Sequence, residues 1–378
     1  MHLAQTTPSP FVVSTWVDLL GAWVNRSPGF WKWLGNVETR VLADHIASLR
    51  IEQPIYISGL ARSGSTILLE LLALHDATAT HAYKDFPPVL TPYFWNWFLD
   101  RAQKRNTVAV ERVHGDGIAV TPDSPEALEE VLWMAFFPHV HDPTHSHVLD
   151  ATTDAPAFAS FYGNHLRKLL WLRGGTRYVA KGNYNTTRLA YLLKLFPDAR
   201  FIIPVREPAS HIASLLRQHK RFCQIQREDL RTLRYMQRVG HFEFGFDRRA
   251  INTGDGSEAA AIMAAWRQGR DVEGLARLWC NVYQHIVDRL EVSPALRDAM
   301  LIVRFEDLCD VPESTLRAVF DHCRLPVGDD FVAHAAARLR KPSSDEATLD
   351  AAALETIATL TSPVAVRFGY ETTSSAAT

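Results

Sequence analysis

Short apolar runs separated by amphipathic stretches set the rhythm of this 378-residue chain. Pro54-Ile55-Tyr56-Ile57-Ser58 is β-prone and ends at Gly59, and Thr66-Ile67-Leu68-Leu69-Glu70-Leu71-Leu72 after it has helical spacing. The same order of strand, turn and helix recurs at Phe201-Ile202-Ile203-Pro204-Val205, followed by Arg206 and a helix through Leu215. Further apolar strands are expected at Arg177 to Ala180 and Leu301 to Phe305. Strands that alternate with helices predict an α/β fold, a doubly wound parallel sheet of four to five strands flanked by helices.

Residues 87–172, between the first two of these strands, form too long a segment for a plain crossover. They carry Tyr93, Phe94, Trp95, Trp97, Phe98 and an expected helix from Ser124-Pro125-Glu126 onward. We read them as a helical insertion over the carboxyl edge of the sheet, where open α/β folds bind ligands. Ahead of the sheet, Phe11 to Arg50 holds Trp16, Trp23, Trp31 and Trp33, broken at Arg26-Ser27-Pro28-Gly29, and reads as two short helices. Stripes of this kind usually face a core. That makes residues 1–50 a helical extension packed on a single domain of residues 51–371. The other reading is contact with a membrane interface or a lipid acceptor, because indole rings favour the headgroup level. The tail after Thr372 is expected to fray.

Composition narrows the class. With 47% hydrophobic and 22% charged residues the chain is an ordinary folded protein, and a net charge of -2 argues against a nucleic-acid binder. Cys223, Cys280, Cys309 and Cys323 form no CxxC pair, which suggests neither a disulfide framework nor a cysteine zinc site and fits a cytoplasmic compartment. The start of the chain does not read as a secretory signal, and no stretch approaches the length of a membrane span.

The chemistry begins at Gly59-Leu60-Ala61-Arg62-Ser63-Gly64-Ser65-Thr66. A loop between a strand and a helix offers backbone N–H groups and a helix dipole to an anion. The glycines have the GxxxxG spacing of a nucleotide phosphate loop, yet Ser65 stands where the phosphate-binding lysine belongs, so ordinary ATP or GTP chemistry is disfavoured. A second constellation, Arg206-Glu207-Pro208-Ala209-Ser210-His211-Ile212-Ala213-Ser214, also starts at a strand end. Pro208 suits the first turn of a helix, and Arg206 with a helix-borne Ser214 can grip a second phosphate.

The loop GLARSGST, the later VREPASHIAS, the preceding KLFPDARFI and the carboxyl-proximal VRFEDL together resemble the sulfotransferases that use 3′-phosphoadenosine 5′-phosphosulfate, over roughly Ile55 to Pro326. The resemblance implies a P-loop-like nucleotide site in which Arg62, Ser63, Gly64, Ser65 and Thr66 bind the 5′-phosphosulfate, and Arg206 and Ser214 the 3′-phosphate. It implies the phosphosulfate nucleotide as co-substrate and no metal. It also places a general base some twenty residues after the loop, in Thr80-His81-Ala82-Tyr83-Lys84-Asp85-Phe86-Pro87, with Asp85 as first choice and His81 as second. On general grounds Asp85 is equally a turn cap ahead of Pro87-Pro88. Lys181, after a predicted strand, matches a lysine directed at the leaving phosphate, and with Arg62 would stabilise the developing charge.

The expected function is therefore transfer of a sulfuryl group to a hydroxyl of a carbohydrate, glycolipid or small molecule. The alternatives are a P-loop-like kinase or nucleotide-binding transferase, and a non-catalytic protein that binds membranes peripherally through its tryptophans. Two histidine runs, Arg112-Val113-His114-Gly115-Asp116 and His139 to His147, do not complete a metal site in the sequence. On a strand the alternating histidines of the second run would share one side. His114, Asp116 and Ser124-Pro125-Glu126 could line an acceptor pocket, and Ser124 could equally cap a helix. Residues 217–249 hold nine Arg or Lys against four Asp or Glu, which suits either a lid that attracts anions or a solvated helix face. Arg338-Leu339-Arg340-Lys341 could reach the nucleotide. No pattern specifies an oligomeric state.

Overall fold

A computed structural model describes residues 13–102, 119–339 and 349–371, with the backbone of 110–111. Five parallel strands form the sheet: β1 (Ile55–Ile57), β2 (Thr78–Ala79), β3 (Arg177–Lys181), β4 (Arg200–Val205) and β5 (Met300–Arg304), in the order β2-β3-β1-β4-β5. The main helices are α1 (Thr15–Arg26), α2 (Pro28–Val41), α3 (Ser65–Leu72), α4 (Pro92–Ala102), α5 (Glu130–Phe136), α6 (Pro156–Arg173), α7 (Pro208–Glu228), α8 (Leu230–Val239), α9 (Asp271–Val292) and α10 (Ala351–Ala365). β2 went unread in the sequence because two residues carry no periodicity.

Alternation along the strands separates two cores. Tyr56, Tyr178, Phe201 and Ile203 turn to one face, against Trp133 of α5, Tyr162 of α6 and Trp279 of α9. Ile55, Ile57, Val179, Ile202 and Val303 turn to the other, against Leu68, Leu69 and Leu72 of α3 and Phe320. Burial on both faces is why these strands read as continuous apolar runs. The chain leaves β1 for β2 on one side, whereas β4 and β5 lie on the other, so the strand order switches at β1. The crevice outside the carboxyl ends of β1 and β4 is thus the expected ligand position.

The tryptophan-rich segment folds as two helices with a break at Ser27-Pro28, as its turn signal predicted. Asp18 of α1 accepts from Arg234 and Arg238 of α8 at 2.8 and 2.7 Å, and the Arg234 hydrogen bond leads in holding its carboxyl down at about 2. α2 lies so close to the core that a Cβ on Gly35 would sit 2.7 Å from the Leu90 carbonyl oxygen. One turn on, Glu38 and Lys168 of α6 form a fully buried ion pair of 2.7 Å.

Three local expectations are corrected. Ser124 caps no helix: its Oγ accepts from Thr121 N at 2.9 Å, closing a turn, and the helix starts at Glu130 because Pro125 is bridged to Ala82. The run His139–His147 is a turn, so its histidines do not share a side: His139 and His145 are exposed, while His141 and His147 are buried. In the basic stretch Arg231, Arg234, Arg238, Arg248 and Arg249 are taken up by Asp229, Asp18, Asp271 and Asp247, which leaves much less free charge than its composition suggested.

Candidate active site

The loop after β1 is shaped by contacts that leave little room for substitution. A Cβ on Gly59 would lie 2.7 Å from the Pro204 carbonyl oxygen of β4, so glycine allows the close approach of the two strands. Arg62 (φ 71) and Gly64 (φ 97) adopt left-handed backbone, which turns successive N–H groups toward the start of α3. Ser63 Oγ donates to Leu60 O at 2.7 Å, and His211 Nε2–H donates to Ala61 O at 2.8 Å. The Ser63 amide also donates to Leu60 O, at 3.3 Å, so hydroxyl and amide alike are spent on holding the loop's shape. Ser65 opens α3 and is buried; Thr66 beside it is half-buried.

Behind the loop stands the second constellation. Pro208 occupies the first turn of α7, and Glu207 caps that helix, accepting from Ala209 N at 2.9 Å and Ser210 N at 2.7 Å. Arg62 Nε donates to Ser214 Oγ at 3.3 Å, and Arg206 Nη1 lies 3.5 Å from Arg62 O, so the two motifs meet in space. The Arg206 guanidinium sits 4.7 Å from the Phe305 ring centre, and its buried Nε has no hydrogen-bond partner among the described residues. Burial, then the charges of Arg62 and Arg217, push the Arg206 pKa down against the pull of Glu306. Three crowded guanidinium groups and an orphaned donor fit a phosphate-rich anion.

Lys181 ends β3 in register with Ile57, and Gly182 N donates to Ile57 O at 3.0 Å, which sets the lysine beside the start of the loop. Its charge reaches Glu243, whose carboxylate accepts from Asn183 Nδ2 at 2.5 Å and lies 3.4 Å from His241 Nδ1. Burial would raise the Glu243 pKa, but His241, Lys181 and Asn183 together hold it down. This acid lies in no recognisable motif, and nothing in the sequence flagged it.

The two expected bases are enclosed. Asp85 is fully buried, with Oδ1 2.6 Å and Oδ2 2.8 Å from Arg173 Nη2, and it also accepts from Asn96 Nδ2 and Ala82 N, both at 2.8 Å. That is the turn-capping geometry joined to an ion pair, the arrangement of an anchor rather than a free base. His81 is buried against His165, with 2.9 Å between their Nε2 atoms, and burial pushes it down to about 4. Nearby Glu129 accepts from Tyr162, Tyr178, Trp133 and Asn185. Burial raises its pKa.

Glu126 differs from these acids. It is half-buried, its side chain accepts from Ala127 N at 2.6 Å, and its own N–H donates to His81 O at 2.9 Å, which holds it beyond the carboxyl end of β2. Arg112 to Asp116 lie outside the described residues, as do Arg340 and Lys341. His139 Nδ1, Asp142 and His145 Nδ1 gather within 4.8 Å on the surface. His141 turns inward to Glu130 at 2.7 Å.

A parallel sheet with a tight glycine-containing loop at its switch point, an arginine cluster behind it and serine in place of the loop lysine is a P-loop-like α/β fold without the lysine of the nucleoside-triphosphate enzymes. Residues 54–250 match the model of the sulfotransferase family, and the chain belongs to that family. It is a transferase of sulfuryl groups, which sets aside the kinase-like and non-catalytic readings. Over 321 residues the chain is 24% identical to the omega-hydroxy-beta-dihydromenaquinone-9 sulfotransferase Stf3 of Mycobacterium bovis (strain ATCC BAA-935 / AF2122/97). The match to the protein of the same name in Mycobacterium tuberculosis (strain CDC 1551 / Oshkosh) is equal, covering 81% of this chain and 70% of the relative. Among solved structures it is similar to sulfotransferase STF9 from Mycobacterium avium, with a TM-score of 0.48, 15% identity, and coverage of 88% of this chain and 80% of that one. Sulfotransferase STF1 from Mycobacterium tuberculosis H37Rv gives a TM-score of 0.45 and 16% identity, with coverage of 90% and 87%.

Proposed function

We propose that the sulfuryl donor is 3′-phosphoadenosine 5′-phosphosulfate and that the acceptor is a hydroxyl of a small, lipid-like molecule. The observation that carries the donor is the meeting of Arg62, Arg206 and Ser214 beside the loop, two phosphate grips at one crevice. The loop amides and Thr66 would hold the phosphosulfate end, and Arg206 and Ser214 the 3′-phosphate. The donor supplies a sulfuryl group whose bond to phosphate oxygen breaks as a bond to the acceptor oxygen forms. Lys181 and Arg62 would meet the charge that builds on the phosphate oxygen, a role in which positioning and electrostatics supply most of the catalysis.

The acceptor proton needs a base within hydrogen-bond reach. Glu126 suits this role better than Asp85 or His81, because it is only half-buried, lies on the same edge of the sheet, and is held by no ion pair among the described residues. The lipid-like acceptor draws support from the substrate named for the mycobacterial relatives and from a mainly apolar cavity of about 110 Å³ between α1 and α5, lined by Val24, Phe86, Leu90, Val131 and Met134 with Asn25 and Arg238. The test is incubation with the phosphosulfate donor, in the presence of a metal chelator, and a panel of hydroxylated isoprenoids, sugars and phenols, read by mass spectrometry. Sulfation of an isoprenoid alcohol is expected. Transfer to sugars alone would overturn the acceptor class, and loss of transfer on chelation would overturn the metal-free donor site.

A further inference from the structure

α1 and α2 are amphipathic helices whose inner sides are spent on the core and whose outer sides are aromatic. Trp16, Leu19 and Trp23 recur along one face of α1, and Phe30 and Trp33 along one face of α2. With Trp97 and Phe98 of α4, these seven side chains are between 42% and 66% exposed. Ring contacts form two groups, Trp23 to Phe30 at 5.6 Å with Phe30 to Trp33 at 5.8 Å, and Trp16 to Trp95 at 6.2 Å with Trp95 to Phe98 at 5.6 Å, and the three- and four-residue spacing of Trp16, Leu19 and Trp23 along α1 runs between them. Large side chains carry roughly 150–250 Å² each, so the half-exposed set presents on the order of 700 Å². The largest apolar patch of an ordinary monomer is about 300–600 Å².

We propose that this face docks on the surface of an anionic lipid bilayer. Three observations select that occupant. Indole dominates the patch, and indole rings favour the headgroup level of a membrane. The exposed charges of α1, α2 and α4 are Arg26, Arg40, Arg101 and Asp100, a basic excess, because Asp18 is drawn into its pair with α8 and Glu38 into its buried pair with Lys168. Among the described residues no helix is long and apolar enough to cross a membrane, which suits helices that lie in the interface instead. A second copy of the chain fits worse. A twofold contact would bring Arg26, Arg40 and Arg101 of both copies together with one exposed acid per copy on these helices, Asp100, to meet them. The inner contacts at Gly35 and Asp18 fix the two helices, so the aromatic face is preformed.

The test uses the full-length protein with vesicles of phosphatidylcholine alone and with added phosphatidylglycerol. The protein is expected to sediment with the anionic vesicles, and brominated acyl chains are expected to quench part of its tryptophan fluorescence. Replacing Trp16, Trp23 and Trp33 together by Ser is expected to lower vesicle partitioning at least tenfold while adenosine 3′,5′-bisphosphate binding stays intact. Arg26→Gln with Arg40→Gln is expected to lower partitioning on the order of tenfold on anionic vesicles and little on neutral ones. Absence of both sedimentation and quenching in the wild-type protein would overturn the proposal. So would a concentration-dependent dimer by light scattering that the tryptophan substitutions dissolve, which would give the face to a second copy. Because bisphosphate binding is read separately, failure here is distinguishable from failure of the donor assignment.

Discussion

Arg173→Met isolates what Asp85 does. Both oxygens of this fully buried carboxylate rest on Arg173, with Asn96 and the Ala82 amide as the remaining donors. Removing one partner of a buried ion pair costs about 3–5 kcal/mol, since the other charge is left without compensation. The Arg173 side chain is 19% exposed, so water already screens part of the pair and the cost falls near the lower end, about 3 kcal/mol. With about 2.1 cal/mol/K of unfolding entropy per residue, that cost lowers the melting temperature by about 4 °C in a chain of this length. The assay is urea and thermal unfolding of Arg173→Met, Asp85→Asn and the double variant, with turnover measured on the folded enzyme at low temperature. Both single variants are expected to be destabilised, the double to be less so than the sum, and turnover of the folded protein to remain within an order of magnitude of wild type. A fall in turnover of a hundredfold or more in Asp85→Asn, with unfolding unchanged, would refute the reasoning and return Asp85 to the role of base.

Gly64→Ala places a Cβ 2.7 Å from Phe305 Cδ2 on left-handed backbone that costs a side-chain residue about 1–2 kcal/mol; calorimetry is expected to show weakened bisphosphate binding, and unchanged affinity would contradict the loop geometry. Lys181→Met is expected to lower kcat by about 10²–10³ with little change in bisphosphate affinity, as for removal of one charge-stabilising donor. Glu126→Gln is expected to lower kcat by about 10²–10⁴ with bisphosphate affinity unchanged, and a kcat near that of the wild type would exclude Glu126 as base. Burial holds His81, His147 and His285 down to about 4 and His211 to about 3, against 6.5 when unfolded. Below pH 6.5 the unfolded chain takes up protons that these groups refuse in the folded state, so stability falls from pH 6.5 toward 4, by up to about 1.4 kcal/mol per pH unit for each histidine. A urea midpoint that stays level from pH 7 to 4.5 would contradict this.

The parts of the fold that were legible in the sequence are those where one signal acts locally. The apolar run of β1, the glycines of the loop, Pro208 at the start of α7 and the break at Ser27-Pro28 each declare an element without reference to distant residues. Arg62, Arg206 and Ser214 were legible as a pair of motifs, and the structure supplies their meeting point. What was illegible depends on partners remote in sequence. Asp85 looks like a free carboxylate until Arg173, 88 residues on, takes it. The excess charge of residues 217–249 looks like a lid until Asp18, more than 200 residues earlier, pairs with Arg234 and Arg238. Glu243 gains its place beside Lys181 from chain packing alone, and β2 is too short for any pattern to reveal.

The donor site is the centre of the account, and calorimetric titration with adenosine 3′,5′-bisphosphate in the absence of metal tests it most directly, with magnesium ATP and the Arg206→Ala variant run alongside. The account predicts binding of the bisphosphate in preference to magnesium ATP, weakened about tenfold to a hundredfold in Arg206→Ala by loss of charge-assisted hydrogen bonds. Preference for magnesium ATP, or bisphosphate binding indifferent to Arg206, would contradict it.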